Sequence, residues 1–273
     1  MKATWYKKTG PAQEVLKVGE MEPPRAAEDE VRIRVRSSGV NPADVKLRSG
    51  ASNYGYNFPL VIPNSDGAGI VDQVGFNVPK SLMNKRVWFF NGQRLGRAHG
   101  SAAEFIALDK NFVTPLADDI SFEEGATLGI PAMTAYHSVF SDGPVSGKVI
   151  LVTGGSGAVG FYAVSLASWG GAKVIATVSN SNKAQNAILG GAKETINYKT
   201  EDIITRVAKL TNGKGVDRII SVDFADNLKW LTNVISKNGT VVAYASDTNR
   251  TPQIDFFEFM RKNTQIRPFI LNS

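Results

Sequence analysis

The chain has 273 residues, 42% apolar and 21% charged, with a formal net charge of +6, an ordinary soluble composition for one large or two medium domains. It has no cysteine, which excludes disulfides, thiol catalysis and every thiolate metal centre. Its two histidines, His99 and His137, are too few and too far apart for a catalytic zinc, so no metal is expected.

No stretch approaches the roughly 18 apolar residues of a membrane helix, and the first residues carry no signal-peptide pattern, so a cytoplasmic protein without membrane contact is expected. The positive charge suits polyanionic ligands. Basic residues are scattered rather than clustered, so nucleic acid is not indicated as a partner.

In chain order, residues 1–125 are strand-rich. Val31-Arg-Ile-Arg-Val-Arg36 alternates apolar and basic, the signature of a half-exposed strand. Short apolar runs follow at 68–74, 86–90 and 103–107, separated by Gly, Pro and Asn. Residues 125–140 read as a helical link. From 146 to 271 strands and helices alternate: strands near 148–153, 173–178, 217–222, 239–244 and 265–271, helices near 158–169, 182–189, 202–211 and 226–235. That alternation predicts a doubly wound parallel sheet, so the fold class is α/β, with a β-rich first domain (1–125) and a dinucleotide-binding second domain (126–273).

The strongest motif lies where the first of those strands meets its helix. Gly155, Gly157 and Gly160 fit G-x-G-x-x-G, and the strand–turn–helix–strand context is the one a dinucleotide-binding unit requires. The turn and helix start at Ser156, Gly157, Ala158 and Val159 would direct backbone N–H groups at the pyrophosphate. An NAD site usually places an acidic residue at the end of the second strand, against the ribose 2′-hydroxyl. This chain has no acid from Thr153 to Lys193, and its second strand runs into Ser179-Asn-Ser-Asn-Lys183. Serine hydroxyls and the Lys183 charge would stabilise a 2′-phosphate that a carboxylate would repel, which points to NADP(H).

Several blocks in order resemble the zinc-independent quinone oxidoreductases, the ζ-crystallin-like group of the medium-chain dehydrogenase/reductase superfamily. They are Ser38-Gly-Val-Asn-Pro-Ala-Asp44, Ile62-Pro-Asn-Ser-Asp-Gly-Ala-Gly-Ile-Val71, the stretch 121–136, the glycine turn, the stretch 190–198 and Gly213-Lys-Gly-Val-Asp217. The resemblance covers essentially the whole chain. It implies a GroES-like catalytic domain, a Rossmann domain, and an NADPH-dependent oxidoreductase that passes hydride to a small-molecule quinone or α,β-unsaturated carbonyl without metal. Zinc-dependent relatives carry a Cys near Asn41 and a His-Glu pair near Ser65 and Asp66; neither is present here.

The resemblance also implies site residues. Asn41 and Asp44 match positions lining the nicotinamide and substrate site, although Asn41 reads equally well as a helix N-cap. Tyr54, like Tyr56, lies in the loop expected to rim the cleft and is a candidate proton donor. Many relatives carry Tyr where this chain has Lys46. Thr134 and Tyr136 match positions near the nicotinamide, and Ser179, Lys183 and Tyr198 match the 2′-phosphate pocket. Ala243, Tyr244, Ala245 and Ser246, with Pro268, Phe269 and Ile270, match backbone segments flanking the nicotinamide. The family usually continues beyond the strand ending at Leu271, so the C-terminal return to the first domain is expected to be absent here.

Two other activities fit the same residues: a 2-enoyl thioester reductase, and a cofactor-binding structural or RNA-binding crystallin-like protein. The last strand, 264–271, is expected at a sheet edge, where a homodimer would satisfy its open backbone groups.

Overall fold

The computed structural model describes residues 1–51, 58–94 and 96–271, and divides into two units, Met1–Pro131 and Ala132–Ser273. The division falls later than the expected 125/126. Ala126 packs with Ala68 and Leu116, and the Ile130 N–H donates to Asp66, so this stretch stays with the first unit.

The first unit contains β1 (Lys2–Trp5), α1 (Ala12–Val15), β2 (Lys17–Glu20), β3 (Glu30–Gly39), α2 (Pro42–Ser49), β4 (Asp66–Val74), β5 (Arg86–Phe89), β6 (Phe105–Asp109), β7 (Val113–Pro115) and α3 (Phe122–Gly125). Five strands form an antiparallel sheet in the order β6-β3-β4-β5-β7, while β1 and β2 pair separately, a hairpin the hydrophobic pattern did not reveal. The alternation in β3 works as the sequence suggests. Val31 and Ile33 are fully buried with Val71, Val87, Phe89, Ile106 and Leu108. Each such burial contributes about 2 kcal/mol. Arg32 and Arg34 lie on the other face, their guanidinium groups 5.2 and 5.6 Å from the Phe105 ring centre.

The second unit contains α4 (Met133–Phe140), β8 (Val149–Val152), α5 (Ala158–Trp169), β9 (Lys173–Val178), α6 (Ser181–Leu189), β10 (Glu194–Asn197), α7 (Ile203–Leu210), β11 (Val216–Ser221), α8 (Phe224–Val234), β12 (Ile235–Ala243), α9 (Phe256–Arg261) and β13 (Gln265–Pro268). Six parallel strands run in the order β10-β9-β8-β11-β12-β13. Successive side chains point to opposite faces, so each central strand feeds two cores. Ile150, Val152, Val174 and Ala176 pack with Ala163, Val164 and Ala167 of α5 and with Val139 of α4. Leu151, Ile175, Ile219 and Val241 pack with Val207 of α7, Leu231 of α8 and Phe259 of α9.

Two strands differ from the sequence reading. β10 was not anticipated, because Ile196 is its only buried residue and its other side chains are polar. β13 stops at Pro268 instead of reaching 271; its last register partner is Ala243, whose carbonyl still accepts from the Phe269 N–H at 3.1 Å.

Candidate functional site

Parallel order alone gathers most of the candidate cofactor residues of the second unit. β8, β9, β10, β12 and β13 all end on the same edge of the sheet. They deliver to it Ser156–159 of the glycine turn, Ser179, Tyr198, Ala243 to Ser246, and Pro268 to Ile270. Chain connections leave β8 for β9 on one side, with β11 on its other side, so the strand order reverses there. That carboxyl-end switch point is where open α/β sheets form a ligand crevice.

The turn at this point is built to bring backbone close. Gly154, one residue before the first glycine of the motif, holds the left-handed conformation with φ +64°. Gly154 donates its N–H to the Thr177 hydroxyl at 3.1 Å, and Gly155 donates to the Thr177 carbonyl at 3.0 Å, which pins the turn to the end of β9. A Cβ on Gly160 would sit 2.1 Å from the Gly154 oxygen, so only glycine lets α5 start this close to the turn. Gly157 caps α5 with no side-chain bond to its first N–H groups. Those groups, with the positive end of the helix dipole, face outward from Ala158 and Val159.

At the neighbouring strand ends, Asn197 pairs with Val178, and the Tyr198 N–H donates to the Val178 carbonyl at 3.1 Å. The register therefore sets Tyr198 beside Ser179, one strand apart. Asn180 caps α6, its side-chain oxygen accepting from the Lys183 N–H at 2.9 Å, which puts Lys183 in the first turn of α6 with an exposed side chain. Ser179, Tyr198 and Lys183 thus follow adjacent strand ends with no acidic residue from 153 to 193, while Glu201, paired with Arg206, accepts from the Asn197 N–H at 2.8 Å.

Other expected residues are placed differently. Thr134 is buried within α4, its carbonyl accepting from Ser138, while Tyr136 is 59% exposed with its ring against Phe140. Two residues along a helix turn through about 200°, so α4 does not bring these side chains together. Tyr244 is half-buried against the α5 side of the sheet, and burial pushes its phenol well above the usual range. Tyr54 and Tyr56 lie outside the described residues.

In the first unit the register of β3 against β4 sets Gly39 opposite Asp66. The chain turns into α2 two residues later, so Asn41 and Asp44 arrive beside Asp66. Asn41 is the N-cap, followed by Pro42 at the first helical position. Its backbone N–H donates to Asp44 Oδ2 at 2.7 Å, and its side-chain Nδ2 donates to Asp66 Oδ2 at 2.8 Å. The Ser65 hydroxyl lies 3.1 Å from both Asp44 Oδ1 and the Gln93 carbonyl. All four side chains are buried. Burial pushes the Asp44 carboxyl above the usual carboxylate range, against the hydrogen bonds from Asn41 and Ser65. It pushes Asp66 up to about 7, and the neighbouring Asp44 charge acts in the same direction. Ser65 and Asp66 were not recognised as site residues from the sequence. The one available signal was a lone acid opening an otherwise apolar strand, Asp66 to Val71.

Comparison with known proteins agrees with both halves. The sequence profile of the alcohol dehydrogenase GroES-like domain matches residues 27–118, and that of the zinc-binding dehydrogenases matches residues 158–273. The pig quinone oxidoreductase is 32% identical over 272 residues, covering 98% of this chain and 79% of the relative. Quinone oxidoreductase 1 of Escherichia coli is 30% identical over 248 residues, covering 89% and 72%. The crystal structure of Escherichia coli quinone oxidoreductase complexed with NADPH superimposes with a TM-score of 0.86 at 26% identity, covering 98% of this chain and 81% of that one.

The second profile's description implies zinc, and the residues present do not fit it. Around Asn41 the donor set is an amide, a hydroxyl and two carboxyl groups already hydrogen-bonded to one another, with no thiolate in the chain. Among the described residues no three His, Cys, Asp or Glu side chains cluster as a metal site would need.

Proposed function

This chain belongs to the zinc-independent quinone oxidoreductases of the medium-chain dehydrogenase/reductase superfamily, and from that premise we propose how its residues divide the work. It is an NADPH-dependent oxidoreductase that reduces a quinone or a related conjugated carbonyl. The observation that carries the cofactor reading is the corner where Ser179 and Tyr198 end adjacent strands beside Lys183, one strand from the glycine turn.

Bound NADPH supplies the hydride. Backbone N–H groups at Ser156, Gly157, Ala158 and Val159 would hold its pyrophosphate, while Ser179, Lys183 and Tyr198 would hold the 2′-phosphate. Backbone at 243–246 and 268–270 would flank the nicotinamide, with α4 able to turn only one of Thr134 and Tyr136 toward it. Asn41 and Asp44 act on the substrate side. In a quinone or enone the incoming negative charge spreads through the conjugated system, so hydrogen-bond donors suffice where a simple ketone would need a Lewis acid. Asn41 orients the acceptor, and Asp44, accepting from the Asn41 backbone N–H and the Ser65 hydroxyl, holds the start of α2 that presents it. Tyr54 or water delivers the proton. The protein works in the cytoplasm as a homodimer joined along β13.

Stopped-flow oxidation of NADPH and NADH against quinones, enones and enoyl thioesters tests this. Turnover should require a quinone or enone and prefer NADPH, and in calorimetric titration NADPH should bind at least tenfold tighter than NADH, about 1.4 kcal/mol. Equal affinities for the two cofactors would sink the 2′-phosphate assignment, and turnover of enoyl thioesters alone would sink the quinone assignment.

A further inference from the structure

Two donors converge on one oxygen of Asp66. Oδ2 accepts from the Asn41 side-chain amide and from the Ile130 backbone N–H, each at 2.8 Å. Oδ1, also shielded from solvent, has no hydrogen-bond partner among the described residues. The surrounding backbone holds the carboxyl in this pose. A Cβ on Gly129 would lie 2.3 Å from Oδ1, and a Cβ on Gly39 would lie 3.0 Å from the Asp66 Cβ. An ionised carboxylate can only accept. Asn41 must therefore turn its Nδ2 toward Asp66 and its oxygen away. An amide has no intrinsic preference between its two flips, so here the choice is made by a residue on the neighbouring strand.

We propose that Asp66 is a positioning residue of the reductase, its ionised carboxylate fixing the orientation of the Asn41 amide and so the hydrogen-bonding groups Asn41 offers the substrate. This rests on the reading that Asn41 acts on the substrate. The charged groups bearing on Asp66 are Asp44 from α2 and Arg94 from the segment after β5. From β3 and the 126–130 stretch it meets only uncharged groups: Gly39, Gly129 and the Ile130 N–H. Burial raises the acid to about 7. Below that pH the neutral form, with its proton on the free Oδ1, leaves Oδ2 a weaker acceptor for the amide. Asn in place of Asp66 has the same shape and no charge, so it imitates the neutral form at every pH.

The test compares wild type and Asp66→Asn, oxidising NADPH with p-benzoquinone across the neutral range, together with the side-chain amide resonances of Asn41 in the full-length wild-type protein. Wild-type kcat should fall about tenfold on an acid limb, the difference between a charged and a neutral hydrogen bond. Asp66→Asn should stay near that low level at all pH values, with the KM for NADPH unchanged. The Asn41 amide resonances should titrate with the same midpoint as the acid limb. An acid limb that persists in Asp66→Asn, or Asn41 resonances that ignore pH, would overturn the proposal. If wild type oxidises NADPH with no quinone, the functional reading fails, whereas the Asn41 titration still decides the link to Asp66. That measurement also decides it should the variant not fold.

Discussion

Arg218, on the central strand β11, is paired with Asp142 just beyond α4, although its side chain is only 2% exposed. Its guanidinium also donates to the Ser138 carbonyl at 2.8 Å, and Asp142 takes a second partner, Arg267 of β13. One carboxylate thus ties α4 to both the middle and the edge of the parallel sheet. Removing it leaves a buried cation uncompensated, which costs about 3 kcal/mol or more, whereas replacing the cation by an apolar chain of similar length costs less. In urea titrations Asp142→Ala should therefore lose more stability than Arg218→Met. The reverse order would mean that the pair contributes through packing alone.

The close approach of α5 to its turn gives a second expectation. Gly160→Ala would force a methyl group onto the Gly154 oxygen, displacing the helix start and the N–H groups proposed to receive phosphate. NADPH affinity should drop at least tenfold, about 1.4 kcal/mol. Gly154→Ala, which strains a positive φ without a clash of that size, should cost only about 1 kcal/mol of stability. Fluorescence titration with NADPH separates the two, and an unaltered affinity in Gly160→Ala would remove the turn from the cofactor site.

Cofactor choice should turn on the corner at Ser179. Lys183→Ala is expected to weaken NADPH about tenfold and leave NADH nearly unchanged, because the proposed site sets that charge against the 2′-phosphate alone. Ser179→Asp should go further and reverse the preference by repelling the phosphate while accepting from a ribose hydroxyl. Parallel losses for both cofactors would indicate a folding defect at the start of α6 instead.

Asp66 also makes stability depend on pH. Its carboxyl is raised from 3.8 to about 7 in the fold, so the stability it contributes is complete below the lower value and is lost as pH rises through the upper one. At roughly 1.4 kcal/mol per unit, the ionised form costs a few kcal/mol. Asp66→Asn escapes this cost. Its melting temperature relative to wild type should therefore climb between mildly acidic and mildly alkaline buffer; a constant difference would contradict the raised value.

The β13 edge predicts an assembly. Ile270 is 45% exposed just beyond the strand, where its side chain would meet a two-fold partner. Light scattering should give a dimer at micromolar concentration, and Ile270→Lys should give a monomer. A monomeric wild type would dispose of the idea.

What could be read from the sequence was what local pattern controls. The alternation at 31–36, the glycine turn and the helix at 158–169 each carry their own signal within a few residues, and each formed as expected. The acid-free stretch was legible because an absence over that length needs no three-dimensional knowledge. Partners set by pairing between distant strands were hidden. Asp66 meets Asn41 because a ladder sets Gly39 opposite it, and Tyr198 follows the strand end beside Ser179 because a short polar strand, held by Ile196, pairs with β9. Arg218 reads as an ordinary surface arginine until Asp142, 76 residues earlier, is found against it. The opposite directions of Thr134 and Tyr136 follow from helical rotation and could have been anticipated.

The two cores of the second unit have a mechanical corollary. Because Ile150 and Val152 feed one and Leu151 the other, β8 is a wall shared by two rooms, and neither room can be vacated without leaving the wall bare on that side. Stripping away α5 alone, or α7 and α8 alone, would turn a row of aliphatic side chains toward water. Slow amide exchange should consequently show the innermost strands opening together, in a single event that carries the helices of both sides with it.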